Sequence, residues 1–306
     1  MIDFTTLQGL TIPEGVVTQI TDESGRVIWA LQSDEPIVLE VEKITSDTYA
    51  GETTYTGEQF ILLDIYPKTN GTVNVTYGGL TKTITDTSGA AEPNAQQVFF
   101  GTFNGVSDSV ATPASGTLTI EGECIAFGCK RFNYSNKSTK TCRCICGVAN
   151  FGKVQKIPEA AFGGVNLTSD EIKFNQTSIT IPSTIKDIGP LAFHGCESLL
   201  NVEIVEGGVK TIGYMAFTGC FNLTSITIPK SVTYIRNEAF TTIKAATMLA
   251  STPPEIETLT SSDTGGEYAC FDKDVLEQII VPKGCGDTYK TTAGWSIYAD
   301  YIVEAS

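Results

Sequence analysis

Between Ile179 and Phe240 the chain states one pattern three times. "ITIP" at Ile179 to Pro182, "VEIV" at Val202 to Val205 and "ITIP" at Ile226 to Pro229 fall into one register. The pairs Ala192-Phe193, Ala216-Phe217 and Ala239-Phe240 then align as well. Phe193 to Phe217 is 24 residues and Phe217 to Phe240 is 23, the period of a leucine-rich solenoid. Within a unit, a short alternating strand (Ile226, Ile228) is followed by a turn at Pro229 and by apolar residues at wider spacing. One such unit cannot bury its own apolar edge, so the units must stack. Phe193, Phe217 and Phe240 are then expected to form a buried ladder along the stack.

The second half of the unit is the more specific part. "IGPLAFHGC" (Ile188 to Cys196) and "IGYMAFTGC" (Ile212 to Cys220) complete a pattern L-x-x-I-x-I-P-x-x-V-x-x-I-x-x-x-A-F-x-x-C. This resembles the BspA-type leucine-rich repeat of bacterial surface proteins. The third unit departs, with "IRNEAFTTI" placing Ile243 where the Cys would stand. A partial unit from Val154 to Phe162 precedes a polar insertion, and Leu276, Ile279, Val281 and Pro282 form a degenerate last unit. The closing "YKTTAGWSIYADYIVE" resembles the family's C-terminal cap, with Trp295 as its plug. The resemblance runs from about Val154 to the end. It implies a surface-exposed binding protein whose partner is a protein or glycan on a host or neighbouring cell.

Upstream of the repeats the chain reads differently. "GVVTQIT" and "RVIWAL" flank Asp22 to Gly25 as a hairpin within residues 1–32, and this start resembles structural proteins of phages and prophages. Residues 33–120 open on a linker at Ser33 to Pro36. "IVLEVEKI", "QFILLDIYP", "GTVNVTYGG", "LTKTITD", "QVFFGTF" and "TLTIEG" follow, divided by turn residues, with no helical period between them. The expected fold there is an immunoglobulin-like β-sandwich without the usual Cys–Trp–Cys core. Residues 121–306 are expected to be the repeat solenoid with N- and C-terminal caps. The whole is mainly β: a sandwich followed by a capped leucine-rich-repeat solenoid.

A chain of 306 residues with 41% hydrophobic residues can build such cores. Its formal charge of −15 argues against nucleic-acid partners, which need a cationic face. No apolar run reaches the ~18 residues of a membrane-spanning helix, so no membrane insertion is expected. "MIDFTTLQGL" has neither a basic start nor an apolar stretch, so no signal peptide is visible. Location at the cell surface, outside the cell or on a virion is expected from the two resemblances.

The residues able to do chemistry are few. Nine cysteines leave at least one thiol without an intramolecular partner. Cys196 and Cys220 recur at one repeat position, where packed thiols are expected because parallel Cβ vectors disfavour a disulfide. Cys142, Cys144 and Cys146 alternate and should share one strand face; Cys124 and Cys129 lie nearby. That spacing fits packed thiols better than a disulfide, and a disulfide better than zinc, since it lacks the C-x2-C knuckle. His194 is the only histidine, in a repeat turn matched by Thr218 one unit on. No nucleophile elbow, phosphate loop or H-E-x-x-H is present. The expectation is therefore a non-enzymatic binding or adhesion protein without cofactor or metal. The alternative is a phage or prophage tail component, and an enzyme is the third reading. Partner contact is expected on the turn edge at Tyr214, Tyr234 and His194, because the strand row Thr180, Glu203 and Thr227 lacks aromatic anchors.

Overall fold

The computed structural model describes residues 19–21, 27–30, 36–45, 59–88, 94–103, 106–129, 131–133, 139–141, 144–163, 174–260 and 267–306, and they are mainly β. β1 (Gln19–Thr21) and β2 (Val27–Ala30) pair antiparallel. The turn expected at Asp22 to Gly25, the linker residues 33–35 and Cys142 lie outside the described residues.

The alternating segments next in the chain become β3 (Ile37–Glu42), β4 (Ile44–Thr45), β5 (Gln59–Pro67), β6 (Thr72–Tyr77), β7 (Leu80–Thr85), β8 (Gln96–Phe103), β9 (Val106–Ser107) and β10 (Ser115–Gly122). Alternation decides their faces: in β6, Val73, Val75 and Tyr77 are buried while Asn74 and Thr76 are only partly so. β6 and β7 turn at Gly78-Gly79, both with positive φ, where a Cβ on Gly78 would stand 2.4 Å from Pro113. The chain continues through β11 (Cys124–Cys129), the short pair β12 (Arg131–Asn133) and β13 (Thr139–Thr141), and β14 (Ile145–Asn150).

Two antiparallel sheets result. One has the order β14-β3-β10-β6-β7 and the other β11-β5-β8-β9 with β4 also on β5. Their inner faces meet, with the Tyr77 ring edge-on to Phe100 at 5.7 Å and the Cys144 thiol donating to the Leu62 carbonyl at 3.5 Å. Residues 124–150, within the stretch expected to belong to the capped solenoid, thus supply one strand to each sheet.

From Val154 on, the pairing becomes parallel and coils begin. A first row of strands contains β16 (Ser178–Ile181), β18 (Asn201–Ile204), β20 (Ser225–Ile228), β22 (Ala245–Met248), β26 (Gln278–Val281) and β27 (Ile302–Glu304). They form two parallel ladders, β16-β18 and β20-β22-β26-β27, with no ladder between β18 and β20. A second row of two-residue strands runs unbroken: β15 (Lys156–Ile157), β17 (Asp187–Ile188), β19 (Thr211–Ile212), β21 (Tyr234–Ile235) and β23 (Glu255–Ile256). β24 (Leu259–Thr260) and β25 (Glu267–Tyr268) pair antiparallel as an excursion from the last coils. α1 (Gly286–Thr291) and a 3-10 turn over Trp295–Tyr301 lead to β27.

The Ala-Phe turn carries the stacking. The residue two before each Phe holds a left-handed backbone: Ala160, Leu191, Met215 and Glu238, with φ of 54°, 57°, 52° and 55°. That conformation, costly for a residue with a Cβ, turns the N–H toward the next coil. Leu191 donates to the Tyr214 carbonyl at 2.8 Å and Glu238 to that of Ala269 at 2.7 Å. The Phe amides do likewise: Phe193 to Ala216 and Phe217 to Ala239. Alanine before each Phe, fully buried, lets the turns approach this closely.

The rings then stack. Phe193 and Phe217 lie 5.1 Å apart and 7° from parallel, and Phe217 and Phe240 5.5 Å apart and 8°. The ladder is longer than the three rings expected. Phe162 extends it at one end and Phe271 at the other, 5.1 Å and 5.4 Å from their neighbours. Phe127, from β11, packs against Phe162 at 5.9 Å. β11 also docks its free edge on the first coil, where Cys129 donates to the Ala161 carbonyl and Gln155 to that of Ile125. One hydrophobic cluster therefore runs from Ile37 to Ile302. At the far end Tyr298 stands edge-on to Phe271, and Trp295 and Tyr289 fill the space behind it, all fully buried.

Candidate functional site

The coils leave their outward residues in columns, one residue per coil. On the first row these are Thr180, Glu203, Thr227 and Thr247; on the second they are Asp187, Thr211, Tyr234 and Glu255. The first column is small and polar, and Thr180 spends its hydroxyl on the Glu203 carboxylate at 3.1 Å.

The three residues expected to contact a partner fall in different places. Tyr234 is not on a turn: it is the first residue of β21, paired between Thr211 and Glu255. Sequence reading missed the whole second row, because two-residue strands leave no alternation to detect. Tyr214 does lie on the Ala-Phe turn, immediately before the left-handed Met215. Burial, with Glu238 nearby, pushes its phenol upward from the ordinary tyrosine range. His194 occupies the turn one coil earlier, and its amide closes onto the Leu191 carbonyl at 3.1 Å. All three are half-buried, and no ring contact joins Tyr214 to Tyr234. The exposed apolar side chains of the stack are instead Phe221, at 67%, Leu200, at 58%, and Val303, at 44%. Phe221 and Leu200 belong to the same connection in successive coils, between the Ala-Phe turn and the first row. Their signal was available: Phe221 interrupts a position held by Glu197 one unit earlier.

The thiols are absorbed by packing. Cys220 donates to the Phe193 carbonyl at 3.1 Å and Cys196 to that of Phe162 at 3.7 Å, each reaching one coil back. Both are buried, as are Cys124, Cys129, Cys144, Cys146 and Cys270. Burial pushes the Cys124, Cys146 and Cys270 thiols up to about 12, so they hold their protons at neutral pH. The shared strand face expected for Cys144 and Cys146 is not clean. Cys144 precedes β14, Ile145 between them is equally buried, and β14 carries register shifts after Ile145 and after Val148. Among the described residues no group of three or more His, Cys, Asp or Glu side chains is placed to hold a metal ion. No described helix is long and apolar enough to cross a membrane.

The clefts among the described residues include two that adjoin the coils. A cleft of about 470 Å³ lies where the sheets meet the first coil, lined by Pro36, Lys68, Glu121, Glu123, Lys153 and Gln155 among others. Two lysines and two glutamates line it, and Lys68 pairs with Glu123 at 3.0 Å. A second, of about 300 Å³, lies between the turn after β20 and the loop from Ala250 to Pro254. Close to it, Arg236 forms a two-pronged pair with Glu257, both contacts at 3.1 Å, which holds that carboxyl below its usual range.

Parallel two-row coils, an Ala-Phe turn once per coil and a continuous ring stack describe one repeat, and comparison agrees. Residues 155–289 match the family model of the BspA type leucine rich repeat region, in six copies. The chain carries a BspA-type leucine-rich-repeat region. The six copies exceed the three clear units in the sequence because the last BspA-type coils are disguised. Ala245-Ala246-Thr247-Met248 replaces "ITIP", and Cys270-Phe271 replaces Ala-Phe after the β24–β25 excursion. No curated protein matches the chain. Repeats of this kind expose regular columns of side chains, the usual basis of an interaction surface.

Proposed function

We propose that the protein is a non-enzymatic binding protein which presents its BspA-type repeats to a protein or glycan on another cell, as a surface adhesin. One observation carries the reading. Seven of the eight described cysteines are buried while the coils leave ordered outward columns, the kind of surface that stacked repeats use for interaction. The architecture proposed for it is an immunoglobulin-like sandwich that supports and closes a leucine-rich-repeat solenoid, displayed outside the cell. A second reading, a receptor-binding component of a phage or prophage particle, is favoured by the resemblance of the first 32 residues to virion proteins.

The contact residues in this proposal are Tyr214, Tyr234 and His194, on two elements of the coils, with the exposed Phe221 as a further candidate. The purified chain should bind members of a panel of host surface proteins and glycans. Tyr234→Ser with Phe221→Ser should reduce that binding about tenfold or more, since aromatic anchors dominate such contacts, with little change in Tm. Binding that survives this pair but fails on changing Thr180, Glu203 and Thr227 would move the site to the first row. Protease shaving of intact cells, set beside proteomics of purified particles, separates adhesin from virion component.

A further inference from the structure

The smaller of the two clefts has a composition that selects a ligand. It lies between two coils, with Lys230, Val232 and Thr233 on one wall and Ser251, Thr252 and Pro253 on the other. The Lys230 ammonium has no carboxylate partner among the described residues, although its own amide is tied to Glu206 at 2.9 Å. The Ser251 and Thr252 side chains are exposed, and their hydroxyls have no hydrogen-bond partner among the described residues. In the larger cleft Lys68 is already paired with Glu123 at 3.0 Å.

The second wall is also held in place. The Trp295 indole N–H donates to the Pro254 carbonyl at 2.7 Å, and the Tyr289 hydroxyl donates to that of Ala250 at 2.8 Å. Both rings are fully buried, so the two ends of the loop are pinned from inside. A loop fixed in advance loses little freedom when a ligand enters. At about 300 Å³ the cleft sits at the small end of ligand sites, about 300–1,000 Å³, and suits one ring rather than a peptide.

We infer that this cleft binds a single carboxylate-bearing sugar residue at the end of a glycan. Lys230 meets the carboxylate, the hydroxyls of Ser251 and Thr252 meet the ring hydroxyls, and Pro253 receives the apolar face of the ring. The cleft adjoins Tyr234, since Thr233 precedes it in the chain, so it deepens the binding reading above and rests on it.

The test uses the full chain with sodium glucuronate and methyl glucoside as probes, followed by ligand-observed NMR titration. Glucuronate should bind, at an affinity that falls as salt rises, and methyl glucoside at least about tenfold more weakly. Lys230→Met should weaken glucuronate by about tenfold or more, while Lys230→Arg retains most of it. Lys244→Met, at a lysine paired with Glu277, serves as the control and should change nothing. Equal binding of the two probes, or glucuronate binding unaffected by Lys230→Met, overturns the inference, as does no binding of glucuronate at all. A panel partner whose binding ignores Lys230→Met but needs Tyr234 and Phe221 would leave the broader reading standing while this one falls.

Discussion

Phe217 has a ring above it and a ring below, at 5.1 Å and 5.5 Å, and no exposed surface. Its removal leaves a hole that the coils cannot close by moving together, because Ala216 already brings the turns into backbone contact through Phe193 N–H to the Ala216 carbonyl. Phe217→Ala should therefore cost about 3–5 kcal/mol in denaturant melts. A loss under about 1 kcal/mol would mean the ladder does not bear on stability. Glycine at the neighbouring Ile-Gly step is fixed by a similar closeness: a Cβ on Gly213 would sit 2.5 Å from the Gly189 carbonyl carbon. The third coil has Arg236 at that step, where the side chain is directed outward to Glu257.

At the scale of elements, what could be read in sequence depended on length. β6, β7 and the "ITIP" strands alternate over four to six residues, and each was legible with its buried face. The two-residue strands of the second row were not, so Tyr234 was taken for a turn residue. Nor could sequence assign β11 and β14 to sheets whose other strands lie up to about a hundred residues away, because pairing at that distance leaves no local pattern. The smaller cleft was invisible for the same reason: its walls come from separate coils, and the Pro254 end of one wall is held by Trp295 of the cap. The cap makes a further element-level prediction. The Glu304 carboxylate in β27 accepts from the Gly284 and Gly286 amides at 2.9 Å and 2.8 Å, latching the last strand to the start of α1. Those two bonds hold its pKa below the ordinary glutamate value. A folded pKa below the unfolded one adds stability above the unfolded value, about 4.3, and loses it as pH falls through the folded one. Glu304→Gln should thus lower Tm at neutral pH, and the gap to the parent chain should close on acidification below about pH 4. A gap that stays constant from neutral to acid pH would show that the charge on the latch is irrelevant.

Across the whole molecule the question is whether the sheets and the repeats hold each other up. Stacked repeats communicate mainly with nearest neighbours, so a disturbance should fade along the stack. The first neighbour of the first coil, however, is β11, whose Phe127 touches Phe162 and whose Cys129 amide bonds Ala161. β11 is in turn paired with β5 along Leu63 to Pro67. Leu62, in the same strand and 1% exposed, belongs to the core, and its loss to alanine should cost about 2–5 kcal/mol. If sheets and coils form one cooperative unit, hydrogen exchange in the Leu62→Ala chain should accelerate at Leu39 and Val75 and by a similar factor at Phe162 and Phe193. At Ile279, several coils away, the acceleration should be smaller. Exchange at Phe162 that keeps its parental rate while Val75 speeds up would show the stack closing its own end. In that case the contacts of Phe127 and Cys129 would join two independent bodies.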